Sequence, residues 1–169
     1  SLLRIFLTER FFQSSFYHLK VPLAGSASFK ATAHARSASV IHEVSHLSNN
    51  TFDIAYVESS APFLDLMADD SPGMVQLKSD VEEMQLRFLS HRTPIEQLFK
   101  RFKNGRWEDL SDDPAEGKFF VLGVTGKSTL AEARLEFLAN AEMRGEILLN
   151  NADSLTLLVM LLGRHNFVP

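Results

Sequence analysis

The sequence predicts an α+β domain that is mostly helical, with few short strands. Three observations carry this. Apolar residues recur at helical spacing in several stretches, cap signals open those stretches, and only Phe119 to Leu122 reads as a strand. Composition supplies the core: 45% of the 169 residues are apolar and 14 are Phe, enough for one domain spanning 1–169 and too apolar for a disordered chain.

Residues 1–24 carry Phe6, Phe11, Phe12, Phe16 and Leu19 and fit helix or strand equally well. The small polar residues of 25–39 read as a loop leading into a helix, with Ser37 or Ser39 as its cap. Val40, Ile41, Val44 and Leu47 give that helix an apolar face, and Asn49-Asn50 is a plausible stop because Asn tolerates the left-handed conformation. Residues 57–74 look irregular. A helix follows from Ser79, with Glu82 completing a capping box, and it can begin as early as Met74. Thr93-Pro94-Ile95-Glu96 opens another, with Ile95, Leu98, Phe99 and Phe102 at i, i+3, i+4 and i+7. Residues 103–117 read as polar loop. Helices are expected over Thr129–Ala141, with Leu130, Ala133, Phe137 and Leu138 on one face, and over Ala152–Leu162, between Asn151 and Gly163.

Charge and composition exclude several functions. Seventeen basic against 21 acidic residues give a net charge of −4, so no basic excess favours nucleic acid. Cysteine is absent, which removes disulfides, thiolate metal sites and thiol catalysis. No apolar run reaches the roughly 18 residues of a membrane span. Ser1-Leu2-Leu3-Arg4 lacks the order of a signal peptide, and the missing initiator Met points to a piece of a longer protein or a processed form.

The chemistry-bearing motif is His42-Glu43-Val44-Ser45-His46, an HExxH on an expected helix. Residues i and i+4 share a helix face, so both imidazoles reach one zinc ion. Glu43, beside the first ligand, is placed to act as general base on water whose pKa the zinc lowers toward about 7. With six His in the chain, chance seldom produces this spacing; the bland alternative is two solvated His on a surface helix. A catalytic zinc needs a third protein ligand. Asn49 and Phe52 stand where a metzincin needs Gly and His. Glu82 or Glu83 suits a thermolysin-like site by position, without that class's usual setting. Asp53, seven residues past His46, lies where the chain can turn back to the metal, and Tyr56 follows it.

His42–His46 followed by Thr51, Asp53 and Tyr56 resembles the aspzincins, the deuterolysin and peptidyl-lysine metalloendopeptidase group, whose pattern is HExxH then GTxDxxYG. Asn50 and Val57 replace its two glycines. Asn151-Ala152-Asp153-Ser154 resembles the NADS segment that opens the family's C-terminal helix. The shared motifs cover about 20 residues. The resemblance implies a zincin-like metallopeptidase fold, with His42, His46 and Asp53 as zinc ligands, Glu43 as general base and Tyr56 as a donor to the oxyanion. Such a donor is worth about 3 kcal/mol. Asp153 becomes a supporting carboxylate that orients a ligand His, and also the reserve third ligand.

About 95 residues separate Tyr56 from the NADS-like segment, so 57–128 reads as an elaboration peculiar to this chain that walls a substrate cleft or meets a partner. The lack of Cys, unlike the family's secreted disulfide-bearing members, favours a module of a secreted bacterial toxin or effector with a host-protein target. The expected function is zinc-dependent hydrolysis of a protein or peptide substrate. The rival is a catalytically inactive interaction module that retains the HExxH helix.

Weaker signals have simpler readings. Gly123-Val124-Thr125-Gly126-Lys127-Ser128-Thr129 has two residues between its glycines where a phosphate loop needs four, so it reads as a turn whose Ser128 or Thr129 caps the next helix. His18, His34, His91 and His165 are scattered. Glu58, Asp65, Asp69 and Asp70 read as a solvated loop, or as a selector for a basic substrate side chain. Trp107 is at most a partner contact.

Overall fold

The computed structural model describes residues 18–20, 28–30, 32–56, 89–103 and 105–167, together with Ile5 and Phe12. The expectations for 57–74, for the helix near Met74 or Ser79, and for Glu58, Asp65, Asp69, Asp70, Glu82 and Glu83 lie outside the described residues.

The described chain is α+β and mostly helical. Strands β1 (His18–Lys20) and β2 (Ser28–Lys30) form an antiparallel pair with His18 opposite Lys30. Helix α1 (Thr32–Asn49) follows. Strands β3 (Lys100–Lys103) and β4 (Arg106–Asp109) form a second antiparallel hairpin, with Phe102 opposite Trp107. A 3₁₀ turn (Pro114–Glu116) leads into α2 (Lys118–Thr125), α3 (Leu130–Ala139), α4 (Ala141–Leu149) and α5 (Ala152–Phe167).

Helix α1 starts earlier than its sequence suggests. Residues 28–30 are strand and the helix begins at Thr32, so the expected loop over 25–39 is corrected and Ser37 and Ser39 lie inside the helix. Small polar residues tolerate a helix interior when packing favours it, which overrides their preference for caps. The buried face also differs. Val40 and Val44 are exposed, whereas Ala38 and Ser45 are buried. Ala38, His42 and Ser45 follow i, i+4, i+7, and the small Ala38 and Ser45 on this stripe let α5 approach closely. Asn49 ends the helix as expected, and Asn50 takes a left-handed φ of 53°. Asn is one of the few residues besides glycine that adopt this conformation readily.

Three other elements depart from expectation. The turn at Thr93-Pro94 does begin helically, with the Gln97 and Leu98 N–H groups donating to the Pro94 carbonyl. It stops at Phe99, whose φ of 55° is left-handed, and β3 starts at Lys100. Leu98 and Phe99 are fully buried while Ile95 is 43% exposed, so core packing, not helical periodicity, sets this segment. The expected loop over 103–117 contains the turn and second strand of the hairpin. Phe119–Leu122 is helix rather than strand. A short apolar run does not distinguish the two, and burial of Val121 and Thr125 one turn apart shows the helical period.

The C-terminal half follows the sequence more closely. Thr129 caps α3, its hydroxyl accepting from the Glu132 N–H, and Leu130, Ala133 and Phe137 are buried as expected. The helix ends at Ala139, and Asn140 caps a further helix, α4, that the periodicity did not reveal. Helix α5 continues past Gly163 to Phe167, a mid-helix glycine costing roughly 1 kcal/mol. Because helix precedes Gly123, no strand–loop–helix phosphate loop exists there.

Among the described residues, a core cluster joins segment 51–56, the flanks of the second hairpin and α2 to α4: Ile54, Leu89, Leu98, Phe99, Leu110, Val121, Leu130, Ala133, Phe137 and Ile147. Phe99 meets Phe137 edge to face, with centroids 5.3 Å apart. Buried Arg134 ties the second hairpin to α3, donating to the Leu98 carbonyl at 2.8 Å and to the Asp109 carboxylate. The described part of 57–128 supplies Leu89, Leu98, Phe99, Leu110 and Val121 to this cluster. Gly117, at φ 70°, lies so close to residues 52–54 that a Cβ there would stand 2.7 Å from Phe52 Cβ and 2.9 Å from Ile54 Cγ1. This close approach sets the position of the segment that carries Asp53.

Candidate metal centre

Segment 51–56 leaves α1 and is held from three sides. The Phe52 N–H donates to the Asn150 carbonyl at 2.8 Å, and the Ala152 N–H donates to the Phe52 carbonyl at 2.9 Å, forming an isolated parallel bridge between Phe52 and Asn151. The Asp53 N–H donates to the Ala115 carbonyl at 2.8 Å. Asn151, fully buried, accepts the Ala55 N–H on its side-chain oxygen at 3.0 Å and donates to Ser154 Oγ at 2.9 Å. The NADS-like segment thus places Asp53 as well as opening α5. The sequence marks Asn151 as the residue before a helix and the first of the NADS-like segment; its clamp on residue 55 is a tertiary contact 96 positions away.

This threading brings three donor atoms together. His42 Nε2 and His46 Nε2 are 3.1 Å apart, and Asp53 Oδ1 lies 3.2 Å from the first and 3.3 Å from the second. His42, His46 and Asp53 form a group that could hold a metal ion. The imidazoles are set by their other nitrogens. His42 Nδ1 donates to Asp153 Oδ1 at 2.7 Å, and His46 Nδ1 donates to the Thr51 carbonyl at 2.7 Å. A carbonyl and a carboxylate only accept, so each Nδ1 carries a proton and Nε2 is the nitrogen each ring turns toward the group. Thr51 is buried, with its hydroxyl 2.7 Å from Ser45 Oγ, which fixes the carbonyl that orients His46.

Asp53 Oδ1 is buried and makes no well-formed hydrogen bond, although it faces both imidazole nitrogens. When both Nε2 atoms are free of protons, as metal ligands must be, two lone pairs and a carboxylate oxygen converge on one point and repel each other unless positive charge sits between them. With both His neutral, the Asp53 and Asp153 carboxylates leave two negative charges on the four side chains, which a divalent cation neutralises. The field is evident without a metal. Burial disfavours the His42 imidazolium, but hydrogen bonds and charge from Asp153 and Asp53 outweigh it and lift the His42 pKa to about 10. Burial likewise raises the Asp53 pKa, and His42, Tyr56 and His46 together bring it below the ordinary value. The spacing fits a small cation: bonds of about 2.0 Å to tetrahedral donors separate them by about 3.3 Å.

Tyr56 lies beside the group. Its ring stacks on His42, with centroids 5.9 Å apart and planes 17° from parallel, and it is 44% exposed. Burial of the hydroxyl and the neighbouring Asp53 carboxylate push its pKa well above the ordinary phenol value. Glu43 follows His42 on α1, is exposed, and is not a member of the three-residue group. Asp153 meets the Nδ1 side of His42, away from the Nε2 that joins the group. His91 sits in an exposed turn and belongs to no metal-capable group among the described residues, and His18, His34 and His165 fall in β1, α1 and α5.

Arg101, which the sequence reading did not single out, reaches the site from β3. One terminal nitrogen donates to the Asp53 carbonyl at 2.7 Å, and Cζ stands 4.8 Å from the Tyr56 ring centroid. Comparison with protein-family models, curated proteins and solved structures found no match for this chain.

Proposed function

We propose that this chain is a zinc-dependent endopeptidase domain with a zincin-like active-site arrangement. The observation that carries the reading is the convergence of His42 Nε2, His46 Nε2 and Asp53 Oδ1 at 3.1–3.3 Å, each histidine committed at Nδ1 to an acceptor. Two imidazoles and one carboxylate suit zinc, and three protein ligands leave the open position that a catalytic rather than structural site needs.

Zinc in this group would polarise a peptide carbonyl and bring the pKa of water near 7. Glu43, one residue from the first ligand, takes the proton of the attacking water and later gives it to the leaving amine. Tyr56, stacked on His42 and exposed toward solvent, donates its hydroxyl hydrogen bond to the oxyanion that develops on the substrate carbonyl. Asp153 and the Thr51 carbonyl keep the two imidazoles in the tautomer that presents Nε2.

The test is cleavage of denatured casein and of a mixed peptide library by the purified chain. Hydrolysis is expected, abolished by a chelator and restored by zinc. Zinc bound at one per chain with no cleavage of any library peptide would instead favour the interaction module.

A further inference from the structure

We propose that Arg101 is a positioning residue for this site, setting Asp53 and Tyr56 together. The guanidinium is mostly buried and its side chain touches both residues at once: a hydrogen bond of 2.7 Å to the Asp53 carbonyl, and the planar cation 4.8 Å from the Tyr56 ring centroid. The same ring stacks on His42. One side chain therefore links the backbone of the carboxylate donor to the aromatic ring that lies along an imidazole donor. A planar guanidinium, with several donors in fixed directions, holds both contacts in one geometry, whereas a lysine ammonium is a point charge on a flexible stem that fixes neither.

The second hairpin supplies the support. Glu116 is buried, with one oxygen 3.5 Å from Arg101 Nε and 3.4 Å from Lys103 Nζ, while the Ser111 N–H donates to its other oxygen at 2.6 Å. Arg101 Nε itself is buried without a hydrogen bond, so the link to Glu116 is charge alone and the guanidinium's directional bond goes to Asp53. A residue needed only for hairpin stability would spend its best-formed bond on the hairpin. Glu116 holds the cation in place, and Arg101 passes that placement to the site.

The metal arm of the test rests on the zinc reading; the ring arm does not. Arg101→Lys keeps the charge near Glu116 and removes the fork. Two quantities are read on the full chain: zinc affinity by competition with a chelator, and the nuclear Overhauser effect between Tyr56 and His42 ring protons in the metal-free protein. Arg101→Lys is expected to lose zinc affinity at least about tenfold and to lose the ring-to-ring effect, with the thermal midpoint little changed. A lower midpoint with unchanged affinity and an intact ring contact would overturn the proposal, leaving Arg101 a structural residue. If the wild-type chain binds no zinc, the zinc reading fails and the ring contact alone decides the role of Arg101. If Arg101→Lys does not fold, Glu116→Gln, which releases the cation without touching Asp53 or Tyr56, is read in the same two ways.

Discussion

Glu43→Gln is expected to remove peptide hydrolysis while leaving zinc at one per chain. Glutamine matches glutamate in shape and cannot take a proton from water. General-base assistance is worth about 10²–10⁴-fold, and here the same group also protonates the leaving amine. Glu43 is exposed and outside the His42–His46–Asp53 group, so its replacement does not disturb the donor atoms. Turnover by the purified variant, measured beside its zinc content, checks this. Retained turnover at full zinc would eliminate Glu43 as the base; loss of both together would mean that the variant has lost its site and not its proton carrier.

Replacing the two carboxylates separates direct from indirect roles. Asp53 Oδ1 faces both Nε2 atoms, whereas Asp153 Oδ1 meets His42 on the opposite nitrogen. Loss of a carboxylate that only orients a ligand His costs about 10–100-fold in metal affinity. Asp153→Ala is expected to fall in that range. Asp53→Ala is expected to lose more, because it removes one of three donors and leaves two imidazoles facing an open side. Zinc dissociation constants of the two variants, obtained by chelator competition, give the order. Full zinc retention by Asp53→Ala with complete loss in Asp153→Ala would reverse the assignment and make Asp153 the third ligand.

The parts of the site legible in the sequence are those set by local spacing. An i, i+4 pair on a helix must share a face, which brings His42 and His46 together, and Asp53 is near enough in sequence to turn back toward them. Thr51, Asp53, Tyr56 and the NADS-like segment stood out because of a resemblance to a family pattern; their contacts with one another are tertiary. Arg101 was not legible. It is 48 positions from Asp53, and the hairpin that delivers it read partly as helix and partly as loop.

The fold shows the same division. Cap signals located α3 through Thr129, because an N-cap bond is local. The helix expected from Thr93 failed because Leu98 and Phe99 serve the core from a turn, a choice made by residues distant in sequence. The packed face of α1 differs from the apolar pattern for a related reason. Small residues at 38 and 45 admit α5, and hydrophobicity alone assigned the interior to Val40 and Val44. Asn50 was legible because its tolerance is local: it takes a left-handed φ of 53° where α1 stops.

The metal content of the purified chain, measured by mass spectrometry beside a His46→Ala control, tests the central claim most directly. The expected result is about one zinc per chain in the wild type and none in the control. No zinc in the wild type, even after incubation with zinc and removal of the excess, would contradict the account and leave the convergence of His42, His46 and Asp53 without a metal to explain it.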